Sequence, residues 1–163
     1  MEESKVEIRK IEASDLEFVT HILIKSWNSV EVVSKGKIHD ASKLNGFIAI
    51  VDNKPCGLTT FDINKNECEL VTLDSILEGH GVGSALVHEV IEHAKSQNCK
   101  RLWTVTTNDN TQAQGFYKKL GFRYVKTYPN AVSHSRILKP SIPLVGINNV
   151  PITDEIEFEL NIF

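Results

Sequence analysis

The sequence predicts an α/β protein built on a mixed β-sheet. Three observations carry that expectation. Residues 47–51, 56–63 and 68–73 are short runs of apolar, β-branched and aromatic residues, separated by Asp52-Asn53-Lys54-Pro55 and Asn64-Lys65-Asn66. Turns this short join antiparallel hairpins. From Val82 the apolar period changes: Val82, Ala85, Leu86, Val90 and Ala94 lie at the spacing of one helix face. After that helix, strand-like and helix-like segments alternate. Hairpins followed by strand–helix–strand units make a sheet that is neither all-parallel nor all-β.

Residues 6–11 alternate Val6 and Ile8 with polar neighbours and read as a short strand. Ser14-Asp15 offers an N-cap, with Glu17 near the capping-box position, ahead of Leu16, Val19, Leu23 and Trp27 at helical spacing. Residues 28–45 are polar and mixed and read as a short helix plus loop. The helix that starts at Val82 ends near Asn98, and 101–107 follows as a strand. Ala113, Phe116, Tyr117 and Leu120 form the face of a short helix closed by Gly121. Residues 122–128 make another strand, and 130–138 one or two helical turns. Residues 139–154 hold Pro140, Pro143 and Pro151, which block regular structure. The same stretch carries Ile142, Leu144, Val145, Ile147 and Val150, so it is expected to pack on the body. Residues 155–162 alternate Ile156, Phe158, Leu160 and Ile162 as a closing strand.

The chain has 163 residues, 41% hydrophobic and 24% charged. That is the mix of a soluble globular domain of ordinary size. Lys plus Arg number 18 and Asp plus Glu 21, a formal net charge of −3, which argues against a nucleic-acid partner. No apolar run approaches the roughly 20 residues of a membrane span. Met1-Glu2-Glu3-Ser4-Lys5 lacks the basic-then-apolar order of a leader peptide. Three cysteines without a Cys-x-x-Cys pair read as reduced, buried thiols of a cytoplasmic protein.

Glu78-Gly79-His80-Gly81-Val82-Gly83-Ser84 follows a strand and opens a helix. Glycines on alternate positions let the backbone approach a ligand, and the helix dipole favours an anion such as a pyrophosphate. Two common phosphate motifs fail here. A dinucleotide fingerprint would need glycine where Ser84 stands, and a P-loop would need a lysine that is absent. Taken alone, the turn is equally a tight helix start.

One strand further on comes Asn110, then Gly115-Phe116-Tyr117-Lys118-Lys119-Leu120-Gly121-Phe122. With both segments in order, the sequence resembles the GNAT superfamily of N-acetyltransferases. The first signature of that family, Arg/Gln-x-x-Gly-x-Gly/Ala, corresponds to Glu78-x-x-Gly81-x-Gly83. The second, an Asn followed by Phe-Tyr and Leu-Gly-Phe, corresponds to Asn110, Phe116-Tyr117 and Leu120-Gly121-Phe122. The resemblance is closest over residues 45–128. It implies one N-acetyltransferase domain over 1–163, with a mixed sheet of six to seven strands flanked by helices. It also implies a splayed strand pair after the glycine turn. Glu78 departs from the pattern, since a carboxylate beside a pyrophosphate repels it. The tail from Ser135-Arg136 to Asp154-Glu155-Ile156-Glu157-Phe158 looks like that of bacterial members of unassigned substrate.

Activity, cofactor and site follow from that resemblance. The reaction it implies is acetyl transfer from acetyl-CoA to a primary amine, by direct attack in a ternary complex. The alternative is a non-catalytic acyl-CoA sensor of the same fold. Val71, Thr72 and Leu73 match the splayed edge that holds the pantetheine arm, with Leu73 as the oxyanion donor. Residues 78–84 (Glu78, Gly79, His80, Gly81, Val82, Gly83 and Ser84) match the pyrophosphate turn. Phe116 belongs to the same cofactor site. Asn110 matches the pantetheine contact and equally suits a helix N-cap. Tyr117 matches the general acid, and its spacing equally suits a core aromatic. Alkylamines have a pKa of about 10.4, so a base is also required. Glu67 and Glu69, two apart on one strand face, are the candidates, and they equally suit the polar side of a strand. No metal is expected, the acceptor is a small-molecule or peptide amine, and the protein is a monomer or homodimer. His88 and His93 are five apart rather than the four of a zinc helix, and read as a solvated face. Trp27 and Trp103 read as core.

Overall fold

The computed structural model describes residues 5–162. The leader reading of Met1-Glu2-Glu3-Ser4 lies outside the described residues. Strand β1 (Glu7–Lys10) leads to helix α1 (Leu16–Trp27). A separate hairpin, β2 (Glu31–Ser34) and β3 (Lys37–Asp40), comes next. Then follow β4 (Asn45–Val51), β5 (Lys54–Asn64) and β6 (Glu67–Ser75). Helix α2 (Val82–Ser96), β7 (Arg101–Thr107), α3 (Thr111–Lys119) and β8 (Arg123–Tyr128) continue the chain. Helix α4 (Ala131–Leu138) and β9 (Glu155–Asn161) complete it. The main sheet has the order β1-β4-β5-β6-β7-β9-β8. Among the described residues only β6 and β7 pair in parallel; the other neighbours are antiparallel. The mixed α/β sheet expected from the hairpin and helix patterns is therefore the one observed.

Period-two alternation places a hydrophobic layer on each face of this sheet. On one face, Phe47, Ala49 and Val51 of β4, with Phe61, Cys68 and Leu70, meet Val82, Leu86, Val87, Val90 and Ala94 of α2. On the other, Ile48 and Leu58 meet Val19, Ile22 and Leu23 of α1. The two helices thus clamp the middle of the sheet from both faces. The tail packs on the body, as its apolar residues require. Arg136 donates to the carbonyls of Pro143 and Ile152 at 2.7 Å each. Asn108 accepts from the N–H groups of Thr153 and Asp154 and donates to the Pro151 carbonyl.

Four sequence expectations need correction. Residues 28–45 hold a β-hairpin followed by a 3₁₀ turn, rather than a helix and loop. The reason is the pair Lys35-Gly36, both at positive φ (49° and 77°), the conformation that two-residue hairpin turns require. Asp15 stands at the N-cap position of α1, yet its side chain does not cap that helix. Arg9 grips it with two hydrogen bonds of 2.7 and 2.8 Å, and the Glu12 N–H donates to it. Glu17 takes no part in a box; the reciprocal pair is Glu12 and Asp15. His93 does not share a solvated face with His88. Its ring lies 5.0 Å from that of Phe61, half-buried over β4 and β5. Trp27 and Trp103 are half-buried rather than core. The Trp27 indole donates to Asp74 at 3.2 Å, and Trp103 carries the Lys35 ammonium 4.4 Å above its ring.

All three cysteines are buried free thiols. Burial pushes the Cys68 thiol up to about 12, so it stays protonated and inert at neutral pH. Leu86 is fully buried between α2 and the sheet. Leu86→Ala should cost about 2–5 kcal/mol, read as a lower urea midpoint at unchanged slope. A loss well under that range would mean that α2 does not carry the clamp described here.

Candidate active site

The site grows from one interruption in the sheet. β6 and β7 pair from Glu67–Arg101 to Leu70–Thr104 and no further. β7 remains paired with β9 up to Thr107–Glu155, and β6 with β5 up to Ser75–Gly57. The two strands therefore part while each stays anchored on its outer side. Against β5, Thr72 pairs with Thr60 and Leu70 with Phe61, which leaves Val71 as an extra residue. That is a β-bulge, which bends a strand and re-aims its backbone. Thr104 donates from its hydroxyl to the Leu70 carbonyl at 3.0 Å, at the last rung before the split.

The predicted site residues divide around this opening. Glu69, Val71 and Asn110 line a cavity of about 300 Å³ inside it. Thr72 is buried toward β5: its hydroxyl meets that of Thr60 at 2.7 Å, and its carbonyl accepts from Thr59. Leu73 is half-buried beyond it. Asn110 caps α3 by accepting from the Ala113 N–H at 3.0 Å, so the capping reading holds. Glu67 lies apart, on a second opening shared with Glu69, where the Arg101 guanidinium reaches it at 3.2 Å.

Glu78, Gly79, His80 and Gly81 form an exposed turn that enters α2. Gly79 and Gly81 hold φ of 77° and 68°, and a Cβ built on either meets nothing within 4 Å. Positive φ sets the residue type there, and open space lies in front of the backbone. Val82 points into the core, so only its main chain can serve the turn. A Cβ on Gly83 would come within 3.3 Å of the Phe116 ring, so this glycine lets α3 approach α2. Ser84 follows, half-buried, in the first turn of α2.

Tyr117 is buried among the rings of Phe116, Phe122 and Phe158. It is the core aromatic that helical spacing suggests. Thr104, at the fork of β6 and β7, lies close enough to act on the Tyr117 hydroxyl. Burial pushes the phenol up to about 12, with Asp74 acting in the same direction and Thr104 partly offsetting both. It is a neutral donor throughout the ordinary pH range.

Six further residues line the cavity or support it, and the sequence reading did not select them. Ser34 and Lys35, at the tip of the hairpin, reach across the split. Ser34 donates to Glu69 at 2.6 Å, and the Lys35 N–H donates to Glu155 at 3.1 Å. Glu69 also has the buried His39 Nε2 3.3 Å from its other oxygen, outside hydrogen-bonding alignment. Glu155 is 4% exposed. Burial pushes its carboxyl above the usual range, and nearby Glu69 adds to the rise. Two residues along β9, burial acts on Glu157 in the same way. Hydrogen bonds from Lys35, Tyr128 and Arg101 outweigh it and hold that carboxyl below the usual range. Donor count separates these two glutamates of one strand. Lys139, at the cavity wall, donates to the carbonyls of Trp27 and Glu31 at 2.7 Å each. Burial pulls its pKa down. One weak signal in the sequence bore on Glu155 and Glu157: both stand on the polar phase of an alternating strand.

Comparison with known proteins agrees with this geometry. The model of the acetyltransferase (GNAT) family matches residues 9–122. The uncharacterized protein YdhI of Bacillus subtilis (strain 168) is 39% identical over 141 residues, covering 86% of this chain and 88% of that protein. The solved IAA acetyltransferase from Bacillus cereus ATCC 14579 has a TM-score of 0.77 at 19% identity, covering 96% of this chain and 99% of that one. A GNAT family acetyltransferase from Elizabethkingia anophelis, solved with acetyl-CoA bound, has a TM-score of 0.69 at 20% identity, covering 96% and 97%. These structural likenesses are likenesses of fold. Resting on the match over residues 9–122 and on the relative at 39% identity, the conclusion is that the chain belongs to the GNAT acetyltransferase family.

Proposed function

We propose that the protein transfers an acetyl group from acetyl-CoA to a primary amine within a ternary complex. One observation carries this reading: the β6–β7 split lies between the glycine turn at Gly79–Gly81 and the Tyr117 hydroxyl at Thr104. An extended pantetheine arm can enter such a gap as an added strand, using main-chain groups that β7 leaves unpaired from Val71 onward. Leu73, on the stretch of β6 beyond the bulge at Val71, remains the assigned oxyanion donor. The pyrophosphate would sit on the N–H groups of residues 79–84, at the positive end of α2. A protein of the same fold, the Elizabethkingia anophelis acetyltransferase, holds acetyl-CoA, which supports acetyl-CoA as the donor.

In the reaction the amine nitrogen attacks the thioester carbon. The N–C bond forms and the C–S bond breaks. The ammonium loses one proton before attack, and Glu69 accepts it and passes it to solvent. The Ser34 hydroxyl orients Glu69 for that task, which gives it the role over Glu67, engaged by Arg101. The nitrogen loses its second proton as the intermediate collapses, and by way of solvent this becomes the thiol proton. Full transfer from a phenol at about 12 to a thiolate of reference pKa about 8.5 runs uphill. Tyr117 therefore stabilises the developing thiolate by donating a hydrogen bond, a narrower role than general acid.

Two outcomes test the reading. Gly81→Val forces a β-branched residue to φ of 68° and pushes a side chain into the open face of the turn. Acetyl-CoA affinity in calorimetry should fall by roughly tenfold or more, as expected when main-chain hydrogen bonds to an anion are lost, while far-UV circular dichroism is retained. Unchanged affinity would place the anion elsewhere. Tyr117→Phe keeps the ring packing, so the melting temperature and acetyl-CoA affinity should hold. Single-turnover acetylation should slow by roughly 10²–10³-fold, the range for one lost transition-state donor. Any alkaline limb of the rate profile below about pH 11 should persist in this variant, because the wild-type phenol ionises only near 12. Binding of acetyl-CoA without thiol release to any amine would instead favour the sensor alternative.

A further inference from the structure

The cavity at the strand split has a composition that bears on the acceptor. At about 300 Å³ it is at the small end of ligand sites. Trp27, Val32, Val33, Val132, Ile142 and Ile152 supply apolar walls. Into these walls project two carboxylates from strands on opposite sides of the split, Glu69 of β6 and Glu155 of β9. Consecutive residues hold them, Ser34 and Lys35. A buried carboxylate is tolerated when donors or cations compensate it. Glu157, with Lys35, Arg101 and Tyr128 around it, is compensated. Glu155 accepts the Lys35 N–H, and no ammonium or guanidinium forms an ion pair with it among the described residues.

Resting on the acetyl-transfer reading, we propose that the acceptor is a small primary amine with an apolar body, one ammonium and no carboxylate, and that Glu155 binds its ammonium. The ammonium supplies the charge that Glu155 lacks. Glu69, on the opposite side of the split, takes the proton when the amine is activated. The walls formed by the tail and α4 take the apolar body. A carboxylate on the acceptor would enter a space that already holds two. Lys139 offers little relief, because two of its three protons are directed at the carbonyls of Trp27 and Glu31. A second ammonium, as in a polyamine, would meet the apolar wall and lose its hydration without gaining a partner.

The test compares three amines with the full-length protein and acetyl-CoA: 2-phenylethylamine, phenylalanine and spermidine, followed by thiol release. The kcat/KM for 2-phenylethylamine should exceed that for phenylalanine by roughly a hundredfold, given the like-charge cost of a third carboxylate. It should exceed that for spermidine as well. Glu155→Gln should raise KM for 2-phenylethylamine by roughly tenfold or more, the effect of losing one charged hydrogen bond. KM for acetyl-CoA should stay the same, and calorimetry on the coenzyme A complex should report the same loss of amine affinity. Preference for phenylalanine or spermidine overturns the proposal, as does an unchanged amine KM in Glu155→Gln. If 2-phenylethylamine binds in calorimetry through Glu155 but no thiol is released, the acceptor class stands and the transfer reading fails. If acetyl-CoA binds and no amine does, the acceptor class fails.

Discussion

The parting of β6 from β7 after the Leu70–Thr104 rung is the constraint on which the rest of the structure depends. A parallel pair in the middle of a sheet normally runs its full length, because each open rung leaves main-chain donors and acceptors unpaired. Here each strand keeps its outer partner, β5 or β9, and the inner edges are left open. The bulge at Val71 begins the divergence. The Thr104 hydroxyl on the Leu70 carbonyl finishes the last rung. Tyr117 sits at that fork, the glycine turn begins where β6 ends, and the cavity fills the opening.

The hairpin of β2 and β3 answers a second need of the same gap. An opening between two strands would otherwise leave Glu69 and Glu155 in apolar surroundings without donors, a costly arrangement. The tip of the hairpin supplies a hydroxyl to one and an N–H to the other. The Lys35 side chain continues to Glu157 at 2.8 Å and lies over Trp103. Two consecutive residues at the hairpin tip, Ser34 and Lys35, thus tie both halves of the parted sheet together on the side away from α2.

Much of the fold was legible in the sequence because it follows from local periodicity. The runs at 47–51 and 101–107 and the helix from Val82 are set by alternation or by 3.6-residue spacing, and all three appear where those patterns put them. The glycine turn was legible because positive φ selects glycine at Gly79 and Gly81. The β2–β3 hairpin was not, because Lys35 adopts positive φ without belonging to the residue types that announce it. Glu155 was hidden for another reason. On a strand with one polar side, nothing local distinguishes a solvated glutamate from one that a distant hairpin and the helix before the tail will bury. The bulge at Val71 depends on register with β5, a relation between segments that no single segment records. Asp15 was misassigned because Arg9, six residues upstream, draws its carboxylate away from the helix start.

The glycine turn presents main chain to the solvent, whereas the cavity presents side chains drawn from the hairpin, α4, the tail and β9. On the proposed function, these two ends of the site answer to sequence change differently. Main-chain donors survive nearly any substitution that keeps the local dihedral angles, so the end at α2 is insulated from drift in its neighbours. The other end has no such insulation. One exchange at Ser34, Lys139 or Glu155 alters its charge or shape directly while the clamp of α1 and α2 stays intact. The architecture is modular in that sense: one socket is fixed by geometry, and the opposite wall is a replaceable part.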